Sequence, residues 1–125
     1  GDVEEEEEID KNEENEKEKL RAEYLPKIQD DLNTITEKRK LLGKREYLRL
    51  IYKTYKPKRE DHVLNEALLS SMDDKELNKA YKAALTHYHP DKNSSDDYGF
   101  EWHFTAEHIT KELNVNFESI KLLES

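Results

Sequence analysis

Apolar positions recur at threes and fours along most of this chain, and no stretch carries the two-residue alternation of a half-buried strand. Leu20, Tyr24, Ile28, Leu32 and Ile35 form one apolar stripe on an otherwise charged segment. Pro26 interrupts it and suits a first helical turn, so the main helix is placed from Pro26, with Gly43 as its C-terminal cap. Lys44–Tyr55 then sets Tyr47, Leu48, Ile51 and Tyr55 on one face and Arg45, Arg49, Lys53 and Lys56 on another, and Pro57 ends it. A short helix fits His62–Ser70. Asp73-Asp74-Lys75-Glu76 reads as a capping box that opens the next helix. In that helix Leu77, Tyr81, Ala84 and Leu85, with Tyr88, share a side that should pack on Leu113, Phe117 and Ile120 of a last helix. The polar run Asn93–Tyr98 reads as loop, and Gly99 or Glu101 opens the last helix. The predicted class is all-α, a helical hairpin with additional N-terminal helices.

Charge divides this helical pattern unevenly. Residues 2–18 hold eleven acidic residues and two lysines, which account for the whole net charge of −9, while the remainder is balanced. So acidic a stretch has almost nothing to bury, which predicts a disordered head over 1–18. A helical extension over 19–56 and a domain over 57–125 follow. With no cysteine, disulfides and thiolate zinc sites are excluded. No apolar run approaches the ~20 residues that span a bilayer, so cytoplasm or nucleus is the expected compartment, the cytoplasm favoured. The chain carries no Gly-rich phosphate loop, no Gly-x-Ser-x-Gly and no paired carboxylates with a credible pocket, so neither catalysis nor a cofactor is expected. His87, His89, His103 and His108 are spaced too poorly to share a helical face, and no metal is expected there.

The stretch with most chemical content is His89-Pro90-Asp91, between Tyr88 and Lys92-Asn93. Proline fixes its own φ and pushes the preceding residue out of the α region. A helix running through Tyr88 therefore stops at about His89, leaving an imidazole and a carboxylate on a stiffened, exposed turn. Such a turn suits reading by another protein. Lys75, Lys79 and Lys82, spaced four and three apart, share one face of the helix leading to it.

The run Ala80–Asn93 resembles the second helix and His-Pro-Asp loop of the J domain, the signature module of DnaJ-type (heat-shock protein 40) cochaperones. Lys111–Ile120 is similar to its third helix. The resemblance covers roughly Asp73–Lys121 and implies a J domain over 57–125, with helix II at about 74–88, the loop at 89–99 and helix III at about 100–122. Either Leu64–Leu69 or Glu46–Tyr55 would serve as its first helix. The resemblance further implies binding to heat-shock protein 70 and stimulation of its ATP hydrolysis. His89, Pro90 and Asp91 would be the trigger, Lys75, Lys79 and Lys82 the steering charges, and the ATP site would belong to the partner. The late placement is similar to that in auxilin-type J proteins. The chain departs from the family at Thr110, where Phe is usual, at Asn116 for Ala, and at Thr86 for Leu. His87 stands where a basic residue is usual. Trp102, Phe104 and Ile109 are candidates to refill the core.

Two other readings compete. In the first, a J-like fold persists as an interaction module without stimulating a chaperone. Alternatively, Lys38–Arg59, with ten basic residues, one acidic, and Tyr47, Tyr52 and Tyr55 interspersed, offers phosphate contacts and stacking to nucleic acid or to an acidic membrane. No residue names a client or parent assembly.

Overall fold

Six α-helices and one 3₁₀ turn follow each other in the computed structural model, which describes the backbone of residues 2–124 and the side chains of residues 13–120. They are α1 (Asp2–Leu41), α2 (Lys44–Thr54), α3 (Glu66–Leu69), α4 (Asp74–His87), the 3₁₀ turn (Pro90–Lys92), α5 (Ser95–Tyr98) and α6 (Phe100–Glu124). No strand occurs among the described residues, so the fold is all-α.

The centre is the antiparallel pair α4 and α6. Their direction is fixed by contacts at both ends: Asn116 Nδ2 donates to the Tyr81 hydroxyl (3.1 Å), and the Thr110 hydroxyl donates to the Tyr88 carbonyl (2.8 Å). Leu77, Tyr81, Ala84 and Tyr88 are buried against Ile109, Leu113, Phe117 and Ile120, as the periodicity predicts. Leu85 differs: it is only partly buried and edges a surface cleft. Asp73 Oδ1 accepts from the Glu76 amide at 2.8 Å, so the cap at the start of α4 is in place.

Across this pair lies α2, whose Tyr47, Leu48, Ile51 and Tyr52 are buried in the same cluster, together with Tyr55 just beyond it and Ile35 from α1. The core therefore runs across the division between 19–56 and 57–125. Three buried tyrosines tie it together through their hydroxyls: Tyr47 donates to Ile35 O (2.8 Å), Tyr81 to Lys44 O (2.6 Å) and Tyr88 to Tyr55 O (2.7 Å). Each bond satisfies a phenol that burial would otherwise strand, and burial pushes all three phenols well above their usual pKa.

A second, smaller cluster joins Ile28 and Leu32 of α1 to Phe104 of α6, edged by Leu20, Tyr24, Leu25 and Phe100. Tyr24 stacks on Phe100 (5.1 Å), Thr36 meets His108 (2.7 Å), and Arg39 pairs with Glu112, so α1 and α6 run in the same direction.

Four local expectations need correction. The main helix does not begin at Pro26 but passes through it. A mid-helix proline costs about 3 kcal/mol. Burying one large aliphatic side chain returns about 1.5–3 kcal/mol, and the apolar residues on both sides of Pro26 pack on α6. Gly43 caps no C-terminus: at φ −63° and ψ 160° it is extended and precedes α2 as its N-cap. The helix expected over His62–Ser70 shrinks to α3, because the Asn65 side chain accepts from the Leu68 amide and starts it late. The expected loop Asn93–Tyr98 holds the short α5, capped by Ser94 Oγ accepting from Asp97 N at 3.2 Å. Residues 13–18 of the expected disordered head are helical with exposed side chains, and the side chains of 1–12 lie outside the described residues.

Candidate functional site

The end of α4 carries the candidate site. Tyr88 closes the helix, its amide bonded to Ala84 O, and its ring is completely buried. The next residue leaves the helix at φ −56° and ψ 135°, the extended geometry that Pro90 imposes on it. His89 and Asp91 both point outward, with side chains 50% and 91% exposed. His89 Nδ1 accepts from the Asp91 amide at 3.1 Å, which places the proton of the neutral ring on Nε2 and turns that donor toward solvent. Imidazole donor and carboxylate acceptor are thus both available, and the proline between them removes the freedom to rearrange.

The turn is held from beneath by Asn93, only 2% exposed. Its Nδ2 donates to the carbonyls of His87 (2.9 Å) and His89 (2.8 Å), while Oδ1 accepts from Trp102 Nε1 (2.9 Å). Its own carbonyl lies 2.9 Å from His103 Nδ1. This one amide uses both of its donors and its acceptor, joining the end of α4, the turn and the start of α6. Sequence reasoning missed this role, since the partners are brought together only by the fold. Lys58, from the connection after α2, sits over the Trp102 ring at 4.7 Å.

Lys75, Lys79 and Lys82 are all exposed on α4 and make no ion pair among the described residues, so they present an unneutralised face. On the other side of the turn, a cleft of about 470 Å³ lies between α4 and α6, floored by Leu85 and Pro90 and edged by His89, Thr110, Lys111 and Asn114. The site is therefore a rigid polar turn between a basic face and a small groove.

Two of the unusual polar residues behind it are satisfied. The Thr110 hydroxyl donates toward the carbonyls of Tyr88 and Ala106, and Asn116 donates to Tyr81. Thr86 is exposed and bonds back to Lys82 O at 3.3 Å, so an apolar residue is not needed there. Ile109 is fully buried in the main cluster, Trp102 packs on its edge, and Phe104 belongs to the second cluster.

The basic segment Lys38–Arg59 is partly committed inward. Arg39 pairs with Glu112, Arg45 donates to Ser70 O and Met72 O, Arg49 reaches Glu46 and Ser70 Oγ, and Lys58 covers Trp102. Tyr47, Tyr52 and Tyr55 are buried packing residues, which removes the stacking platform that nucleic acid would use. The histidines occupy separate environments. His87 stacks on His62 (4.4 Å), His103 meets Asn93 O, and His108 joins Thr36 and Glu112. Among the described residues no group of three or more metal-ligating side chains converges. Among them too, no helix is long and apolar enough to cross a membrane. Comparison with protein-family models, curated proteins and solved structures finds no match.

Proposed function

We propose that this chain is a J-domain cochaperone module that binds heat-shock protein 70 and stimulates its ATP hydrolysis, supporting the folding or remodelling of a client. The observation that carries this reading is the rigid His89-Pro90-Asp91 turn, with imidazole and carboxylate outward, at the end of an antiparallel helix pair. On this reading α2 is the first helix of the module, since it shares the core of α4 and α6, whereas α3 contributes only Leu69 and spans one turn. Activation then proceeds without chemistry on this chain. The turn binds one conformation of the partner better than another, and shifts the partner by that difference alone. Lys75, Lys79 and Lys82 speed encounter with an acidic partner surface, an effect that salt weakens.

The test is association with ATP-bound heat-shock protein 70 measured by stopped flow across ionic strength. Wild type binds with a rate that falls as salt rises. Replacing the three lysines by Gln lowers the association rate and flattens its salt dependence, with little change in dissociation. Asp91→Asn abolishes productive binding. Equal binding by wild type and Asp91→Asn would overturn the proposal and favour a J-like interaction module that does not stimulate the chaperone.

A further inference from the structure

The connection between α2 and α3, residues 55–65, crosses the back of the candidate site and is fastened to it at three places. At its start the Tyr55 carbonyl accepts from the buried Tyr88 hydroxyl at 2.7 Å. In its middle the Lys58 ammonium sits over Trp102 at 4.7 Å, and Trp102 is the residue that holds Asn93 Oδ1. Near its end the His62 ring stacks flat on His87, with centroids 4.4 Å apart and planes 15° from parallel. His87 is the last residue of α4, and its carbonyl is one of the two that Asn93 holds. The strap and the turn thus share their supports.

We infer that residues 55–65 are a strap that positions the His89-Pro90-Asp91 turn, and that the stacked His62 and His87 rings are a clasp that opens when both are protonated. Two neutral rings stack without penalty, and one proton on the pair is tolerated. A second proton sets two like charges face to face at 4.4 Å, and lifting the strap relieves that repulsion. Facing the clasp are the Tyr52 hydroxyl from α2, 2.5 Å from His87 Nδ1, Asp61 from the strap and Lys92 from the turn. The cleft beside His62 adds Lys53 from α2, Lys56, Arg59 and Glu60 from the strap and Glu66 from α3. Asp61 favours a charged His87. Burial opposes it, as do the neighbouring His62 and Lys92, and together they draw its pKa below the ordinary imidazole value.

An open strap takes Lys58 from the face of Trp102 and exposes the indole that holds Asn93. The turn then loosens without α4 or α6 unfolding. A regulatory meaning for this rests on the cochaperone reading, but the opening itself does not.

The chain has a single Trp, so its indole N–H gives one resonance that reports the Trp102 to Asn93 bond. The experiment follows that resonance, and the amides of residue 56 and residues 58–62, from pH 7.5 to 5.5 in wild type, His62→Phe and His62→Ala. Phenylalanine keeps the stack but carries no charge. The expected result is a shift of the indole and strap amides on acidification in wild type, and its loss in His62→Phe. His62→Ala should show the acid-like positions already at pH 7.5. His103 Nδ1 also contacts the Asn93 carbonyl, so the difference between wild type and His62→Phe is the quantity that counts. An equal shift in those two proteins, or none in wild type, overturns the clasp. Chaperone stimulation measured alongside separates the two claims. Absence of stimulation at pH 7.5 by wild type and His62→Phe alike counts against the cochaperone reading, while the resonances decide the strap.

Discussion

Asn93→Ala is the substitution that most sharply tests how the turn is built. Asn93 is 2% exposed and makes three side-chain hydrogen bonds, to His87 O, His89 O and Trp102 Nε1. A typical bond contributes about 0.5–1.5 kcal/mol net, and a buried group left without a partner costs about 1–3 kcal/mol. Trp102 is only partly buried and His89 is exposed, so water replaces part of what is lost. The balance is a destabilisation of about 2–4 kcal/mol, large beside the roughly 5–15 kcal/mol of a typical domain. Urea unfolding followed by circular dichroism reads this as a midpoint lowered by about 1–2 M at the m-values of small domains, about 1–3 kcal/mol/M. Asn93→Asp keeps the shape but turns a carboxylate toward two carbonyls, so at neutral pH it should be less stable than Asn93→Ala. An Asn93→Ala protein within about 0.5 kcal/mol of wild type would refute the hub, as would an Asn93→Asp protein more stable than the alanine variant.

Other consequences are simpler to check. Gly99 has φ 87° and ψ 163°, a backbone open essentially to glycine alone, and no heavy atom lies within 4 Å of an added Cβ. Gly99→Ala should therefore cost about 1–3 kcal/mol from conformation alone. At the extended Gly43 the same change should stay within about 0.5 kcal/mol, and both are measured by thermal melting. Ile35→Ala should cost about 2–5 kcal/mol, because Ile35 is fully buried in the core of α2, α4 and α6; a loss under about 1 kcal/mol would make α1 a separable appendage. Burial lowers the pKa of both His87 and His108, reinforced at His87 by His62 and at His108 by Lys111, against opposing pulls from Asp61 and Glu112. A histidine whose folded pKa is depressed stabilises fully above its unfolded value of about 6.5 and loses that contribution as pH falls through the folded value. The melting temperature should therefore fall between pH 7.5 and 5.5, and a flat or rising profile contradicts these assignments.

What the sequence made legible was local. The Asp73 cap, the stop at His89 and the buried faces of α4 and α6 each depend on residues within a few positions, and each appears where the pattern predicts. Ser94, with Asp97 three residues on, was an equally local cap signal that reading Asn93–Tyr98 as loop passed over. The passage of α1 through Pro26 was not local, because the gain comes from Phe100 and Phe104, far along the chain. Asn93 looked like one polar loop residue among several. Its role depends on Trp102 and on the carbonyls of His87 and His89, which only the closed hairpin brings around one amide. The stacking of His62 on His87 was hidden for the same reason. The basic cluster was visible in full, but how much of it is spent on internal carbonyls, carboxylates and an aromatic ring was not.

On the proposed cochaperone reading, the His89-Pro90-Asp91 turn activates a partner ATPase. Single-turnover ATP hydrolysis by purified, compartment-matched heat-shock protein 70 tests it directly, with the wild-type chain and its His89→Gln variant. Wild type should stimulate hydrolysis and His89→Gln should lose that effect with little change in melting temperature, since the His89 side chain is half exposed and its one bond to the Asp91 amide lies at the surface. Equal stimulation by both proteins, or none by either, would contradict it.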